Sequence, residues 1–218
     1  MTDASTPRPL FLVDLGSPYA YLAAERISDV VGEADWQAVL LGGIFRATGR
    51  SSWAQTDRRA DGHAEIERRA LERGLPPIAW PDPWPSDGLL AARAATWADR
   101  QGAGRAFITE ALRMHFRDGR TLSDPDVVRE VGTRVGFAAA ELVAGAAEPA
   151  TKALLRARTE LALARGVFGV PAVLFAPFVF WGDDQLEQAA TVLRAVGGAA
   201  AGRSAAAGSD GSPGEERA

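Results

Sequence analysis

Hydrophobic positions fall into short runs at the two ends of the chain and into helical stripes between them. Leu10–Leu15 is a short apolar run broken at Gly16-Ser17-Pro18. Beyond it Tyr21, Leu22, Ile27, Val30 and Val31 recur at helical spacing, with Gly32 as a stop. Trp36–Leu41 is a second apolar run. The pattern predicts strand, helix over Pro18–Gly32 and strand, the usual crossover between parallel strands. No strand-like alternation occurs from about 43 to 165, where helices are predicted at Ala60–Arg73, Leu89–Arg100, Ala106–Arg117, Pro125–Val135, Ala138–Ala144 and Pro149–Ala164. Gly43–Gly49 reads as a short helix or loop, Arg50–Thr56 as a loop, and the five prolines of Pro76–Pro85 as a rigid connector. Two short apolar runs, Ala172–Phe175 and Pro177–Trp181, then return as hairpin-paired strands before a last helix at Gln185–Val196. Asp184 and Glu187 have capping-box spacing there, though Asp is not the usual first member.

The layout is an α/β fold: β-α-β, a long helical insertion, then β-β-α. Residues 9–42 and 166–196 form one discontinuous domain, and 43–165 an all-helical insert. Residues 1–8 read as a loose arm. Residues 197–218 hold no aromatic and no branched aliphatic side chain, so disorder is predicted for them.

Composition narrows the chemistry. With 218 residues, 47% apolar and 24% charged, the chain can build an ordinary core. A net charge of −4 gives no pull toward nucleic acid or anionic membrane. Arginines alternate with acids, as in Arg58–Arg69, which is the pattern of a solvated helix face. No apolar run approaches the roughly 18 residues of a membrane span, and the N-terminus lacks a signal core; a soluble, cytoplasmic protein is expected. There is no cysteine, which excludes disulfide exchange by the protein's own thiols and Cys-based metal sites. Only two histidines occur, so no metal site is expected; His63 and His115 lie on polar helical stretches and read as solvent-facing. Trp80, Trp84 and Trp97 read as core.

Ser17 is the candidate for chemistry. It stands where an N-cap stands, with Pro18 at the first helical position. Two readings are open. The hydroxyl caps the helix, or the helix start binds an anionic sulfur or oxygen with the hydroxyl as donor. Lowering a thiol pKa by two units takes about 2.7 kcal/mol. One hydrogen bond to a charged group supplies roughly 1.5–3 kcal/mol, and the helix dipole roughly 0.3–1 kcal/mol. The turn therefore suffices without a general base, but the thiol must come from a ligand.

Asp14–Ala23 (D-L-G-S-P-Y-A-Y-L-A) resembles the active-site turn of 2-hydroxychromene-2-carboxylate isomerases, and is similar to that of kappa-class glutathione transferases within the DsbA-like group. The stretches L-L-G-G-I-F-R-A-T-G, W-P-S-D-G-L-L-A-A-R, G-V-F-G-V-P and F-W-G-D-D-Q-L resemble further blocks of that family, in the same order over about residues 9–195. The resemblance implies a thioredoxin-like fold with a helical insertion, and glutathione or another small thiol as cofactor. It implies that Ser17 holds the sulfur and that Val170, before a cis Pro171, pairs its backbone with the cysteinyl part. Trp181, Gly182, Asp183 and Asp184 would grip the γ-glutamyl end, with Asp184 on its amino group. Arg46 stands where the isomerases carry a lysine for the substrate carboxylate. Asp87-Gly88 replaces the family's usual Asn-Ser beside the electrophilic aromatic substrate, and Arg58–Arg69 also departs from the family pattern. The activity implied is thiol-dependent isomerisation of an aromatic enol or ketoacid. Glutathione transfer, or a non-catalytic protein that binds a thiol or a partner, are the alternatives, and a homodimer is compatible with all three.

Overall fold

The computed structural model describes residues 8–207, with side chains to 196. Strand β1 (Leu10–Val13) pairs in parallel with β2 (Asp35–Ala38) and antiparallel with β3 (Ala172–Phe175), which pairs antiparallel with β4 (Phe178–Trp181). The sheet order is β2-β1-β3-β4. Phe11 lies opposite Trp36 on one side and Val173 on the other, so the two ends of the chain meet at β1.

Successive side chains of β1 enter different cores, as the period of two requires. Phe11 and Val13 join Tyr21, Trp36, Phe107, Val173 and Leu186 in the larger cluster. Leu12 joins Ile44, Ala162, Val167, Ala172 and Leu174 on the opposite face. The larger cluster continues into the helical segment through Ile108, Leu112, Val128 and Leu142, so sheet and insertion share one core.

The first helix is interrupted. α1 (Pro18–Ala24) and α2 (Ile27–Val30) meet at Glu25-Arg26, and Gly32 at φ 91° ends the second piece. The break turns Glu25 to a bidentate pair with Arg113, at 2.7 Å on each arm, and Arg26 to Glu187, while Ile27 stays buried. Glu187 is thus engaged by Arg26, which differs from the capping box read in the sequence. The second apolar run is also split: β2 stops at Ala38, and α3 (Leu41–Thr48) follows. The ladder ends there because Leu40 N–H donates to Thr159 Oγ1 at 3.1 Å and Leu41 N–H to Asp14 Oδ2 at 2.8 Å.

The helical segment runs through a 3-10 turn at Trp53–Gln55, then α4 (Arg59–Glu72), α5 (Leu89–Arg100), α6 (Gly104–Phe116), α7 (Pro125–Arg134), α8 (Ala139–Ala147) and α9 (Pro149–Ala164). Asp124 caps α7 by accepting from Asp126 N–H, with Pro125 at the first position. The proline connector holds cis bonds at Asp82-Pro83 and Trp84-Pro85 and docks on α6 through Ala79 N–H to Phe116 O, at 2.8 Å.

Helix α10 (Leu186–Ala207) continues past 196. Within the segment 197–218 read as disordered, the backbone of 197–207 is helical, its six alanines favouring the helix against three glycines. Residues 1–7 and 208–218, and with them most of the predicted arm and the rest of the predicted tail, lie outside the described residues. No helix among the described residues is long and apolar enough to cross a membrane.

The histidines differ from their expected exposure. His115 is 1% exposed; its Nδ1 lies 2.9 Å from Arg120 O, and burial lowers its pKa to about 4. His63 stacks on Trp80 at 3.7 Å between ring centroids and is half-buried. A polar run hides both because each imidazole sits on the apolar side of its helix beside aromatic rings: Trp53 and Trp84 for His63, Phe116 for His115.

Candidate functional site

The end of β1 and the start of α1 form a tight turn fixed from three directions. Ser17 N–H donates to Asp14 O at 3.1 Å, and Gly16 N–H to Asp14 Oδ1 at 2.9 Å. Trp84 Nε1–H donates to Gly16 O at 3.1 Å from the proline connector. The Asp14 carboxylate also accepts from Leu41 N–H, so one acid ties the turn to the first residue of α3. Burial pushes the Asp14 carboxyl up, against the two backbone donors that lower it.

Ser17 has extended backbone angles (φ −94°, ψ 117°) and is 4% exposed. Its Oγ accepts from Ala20 N–H at 3.3 Å, so the serine does cap α1. An N-cap oxygen uses a lone pair for this and leaves its own O–H uncommitted. Among the described residues that hydrogen has no acceptor, and Tyr19 N–H has no partner either.

The turn opens into a cavity of about 660 Å³. One side is Val170, which precedes a cis bond to Pro171 and whose N–H and C=O make no hydrogen bond among the described residues. The opposite side is aromatic: Tyr19 meets Trp53 edge-on at 6.4 Å, and Trp53 meets Trp84 at 5.4 Å. Leu41, Gly42 and Gly43 of α3 form the floor with Leu89 and Ala92 of α5. At the rim Arg50 lies over the rings of Phe168 (4.5 Å) and Trp181 (5.8 Å).

The structure brings Ser17, Val170, Trp181, Arg46 and Asp87 to this one cavity. Arg46 and Asp87 are exposed; Asp87 Oδ1 accepts from Leu89 N–H at 2.9 Å, which stabilises the start of α5. Gly182, Asp183 and Asp184 are not part of its lining. Gly182 sits at φ 111°, where a Cβ would fall 2.4 Å from Asp184 Oδ1, so only glycine fits. Asp183 is 0% exposed and paired with Arg69 of α4 at 2.8 Å and with Arg73, which caps the end of that helix. The carboxylate expected to grip a ligand is thus engaged by two arginines in this structure and does not line the cavity. Burial pushes its carboxyl up, and Arg73 and Arg69 pull the other way. Asp184 is 56% exposed and 3.9 Å from Arg69, and remains open to a ligand cation.

Asp14, Tyr19, Arg50, Trp53 and Trp84 belong to the site without having been singled out for it in the sequence. An acid closing an apolar strand is the one local signal, and it marks Asp14. Trp84 is core, as its sequence suggests, yet it also walls the cavity. Among the described residues no group of His, Cys, Asp and Glu is arranged to hold a metal ion.

Comparison with known proteins places this geometry. The model of the DsbA-like thioredoxin domain matches residues 10–194. A 2-hydroxychromene-2-carboxylate isomerase of Sphingobium xenophagum is 25% identical over 183 residues, covering 81% of this chain and 93% of the relative. A solved structure of 2-hydroxychromene-2-carboxylate isomerase superposes with a TM-score of 0.75 at 20% identity, covering 91% of this chain and 98% of the other. The cytosolic disulfide reductase DsbM of Pseudomonas aeruginosa, solved with GSH, superposes with a TM-score of 0.59 at 19% identity, covering 87% and 96%.

Proposed function

This chain belongs to the DsbA-like thioredoxin family, and we propose that within it the chain is a glutathione-dependent, or other small-thiol-dependent, isomerase of a conjugated aromatic enol or ketoacid. The observation that carries this is the Ser17 hydroxyl: buried at the cavity, accepting from Ala20 N–H, with its own hydrogen uncommitted. In a chain without cysteine such a donor suits an incoming sulfur rather than a disulfide. The isomerase relative, aligned over most of both chains, supports the reaction class.

The residues fit a small peptide thiol. Ser17 Oγ–H and Tyr19 N–H are open donors for a sulfur anion, and the unpaired N–H and C=O of Val170 match an extended peptide backbone. Asp184, exposed and three residues beyond the lining residue Trp181, would take the amino group from outside the cavity lining. When bound, the thiol supplies the nucleophile that adds to a conjugated double bond and leaves again, so that the bond can rotate while single. Ser17 holds the sulfur in its ionised form by hydrogen bonding. Tyr19, Trp53 and Trp84 offer flat apolar surface to the substrate ring. Arg46 would take its carboxylate, and Asp87 lines the same cavity.

The test is calorimetric titration with glutathione, followed by turnover of 2-hydroxychromene-2-carboxylate with and without the thiol. Saturable binding, thiol-dependent turnover and release of the thiol unchanged are expected. Ser17→Ala should lower kcat/KM about 10- to 100-fold, the loss of one charge-assisted hydrogen bond. A stable thioether product would convert the reading to glutathione transfer. Absence of any small-thiol binding would leave a non-catalytic scaffold and defeat the proposal.

A further inference from the structure

A second cavity, about 450 Å³, adjoins the first and shares Leu40, Gly43 and Leu89 with it. Its outer wall is basic: Arg93 comes from α5, and Lys152 and Arg156 from α9. The last two are four residues apart and lie on one stripe of the helix, a like-charge spacing that destabilises a helix unless something offsets it. Elsewhere α5 is joined by ion pairs to α9, through Asp99 to Arg158, and to the residue that precedes α9, through Arg100 to Glu148. Among the described residues no carboxylate lies within ion-pair distance of Arg93, Lys152 or Arg156. Glu160 lines the same cavity but pairs with none of them. Arg46 and Arg50, on the wall of the first cavity, also lack an acidic partner among the described residues. Arg58, Arg59, Arg165 and Arg194 also lack a carboxylate partner among the described residues, but they are scattered, whereas these five line two joined cavities.

We propose that the second cavity is an anion subsite of the first, and that the electrophile carries two acidic groups. One carboxylate faces Arg46; the other reaches past Gly43 to Arg93, Lys152 and Arg156. Gly43 fits the junction because it adds no side chain there, and a Cβ would already touch Thr159 Cγ2 at 3.4 Å. The word electrophile rests on the function proposed above; the anion subsite does not.

The experiment needs no thiol. The full chain is titrated calorimetrically with a biphenyl monocarboxylate and with the matching para,para′-dicarboxylate, at low and raised salt. The diacid should bind about tenfold tighter, a difference of about 1.4 kcal/mol, and the advantage should shrink with salt. The triple variant Arg93→Gln, Lys152→Gln, Arg156→Gln should lose the advantage and leave monoacid affinity unchanged. These side chains are exposed or half-buried and the change removes repulsion, so folding is not at risk. Glu160→Gln should strengthen diacid binding. No preference for the diacid, or a preference the triple variant retains, overturns the proposal. Inorganic phosphate that binds through the same cations while the diacid gains nothing makes this an independent oxyanion site, and also overturns it. Glutathione titration of the same samples keeps the two readings separate: its failure defeats the thiol function and leaves the diacid result standing.

Discussion

Asp183 and Asp184 are adjacent acids with opposite surroundings, and truncating each should separate them. Asp183 is fully buried between Arg69 and Arg73, whose side chains are 22% and 15% exposed. Removing one partner of a buried ion pair costs about 3–5 kcal/mol. The residual hydration of the two arginines places Asp183→Ala near the lower figure. At roughly 2–4 °C per kcal/mol for a chain of this size, the melting midpoint should fall by about 6–12 °C. Asp184→Ala, at an exposed side chain, should change stability by less than about 0.5 kcal/mol. Asp183→Asn keeps shape and one acceptor and should be milder than alanine. Burial raises the carboxyl pKa in the fold, so the native state keeps its proton to higher pH than the unfolded chain does. Stability from this group therefore falls as pH rises from about 3.9 through the raised value, and the Asn variant should lack that slope. Urea and thermal unfolding of the three variants across pH are the assay. Asp183→Ala within about 1 kcal/mol of wild type, well under the cost of orphaning a buried charge, would refute the reasoning. So would an equal loss in Asp184→Ala.

Trp84→Phe removes the indole N–H held by Gly16 O and should cost about 1–3 kcal/mol while weakening glutathione binding; unchanged affinity on calorimetry would mean the turn does not need this tie. Gly62→Ala would gain up to about 1 kcal/mol of helix propensity, but a Cβ there falls 2.2 Å from the Trp53 ring. The clash should dominate, at about 1–3 kcal/mol, and raise KM for the aromatic substrate; a more stable variant with unchanged KM would contradict it. His115 is held neutral, with its pKa at about 4 against 6.5 unfolded. Its native state binds fewer protons, so stability is full above about 6.5 and should fall by about 2 kcal/mol between pH 7 and 5. His115→Asn should flatten this part of the urea-midpoint profile.

Periodicity carried the fold a long way and failed where tertiary hydrogen bonds decide. Leu89–Arg100, Pro149–Ala164 and Ala172–Phe175 are found with the bounds their apolar stripes suggest. Ala38–Leu41 is apolar without a break, and nothing local reveals that Asp14 and Thr159 take the N–H groups of Leu41 and Leu40 away from the ladder. The break at Glu25-Arg26 depends on Arg113 and Glu187, which are remote in sequence. Ser17, Arg46, Asp87, Val170 and Trp181 could be named because the motif blocks that hold them resemble those of a known family, and the structure brings them to one cavity. The aromatic wall could not, since a tryptophan that lines a cavity and one that fills a core have the same sequence signature. The different surroundings of Asp183 and Asp184 were hidden for a similar reason: two acids in a row do not say which one meets Arg69 and Arg73.

The turn at Ser17 also shows why capping and sulfur binding are compatible. The Ala20 N–H uses a lone pair of Oγ, and the O–H is set by nothing else among the described residues. A serine in this state is oriented by the helix yet still free to donate, whereas a hydroxyl already donating to the protein would have to break that bond first. The carbonyl of Gly16 is in turn held by Trp84, so the donor and the aromatic wall are fixed to each other by one hydrogen bond. On the function proposed here, the sheet end would supply the sulfur site and the helical segment the surface for the electrophile. Variation in the helical segment, such as Asp87-Gly88 or the cations of α9, can then change the substrate without disturbing the donor at Ser17.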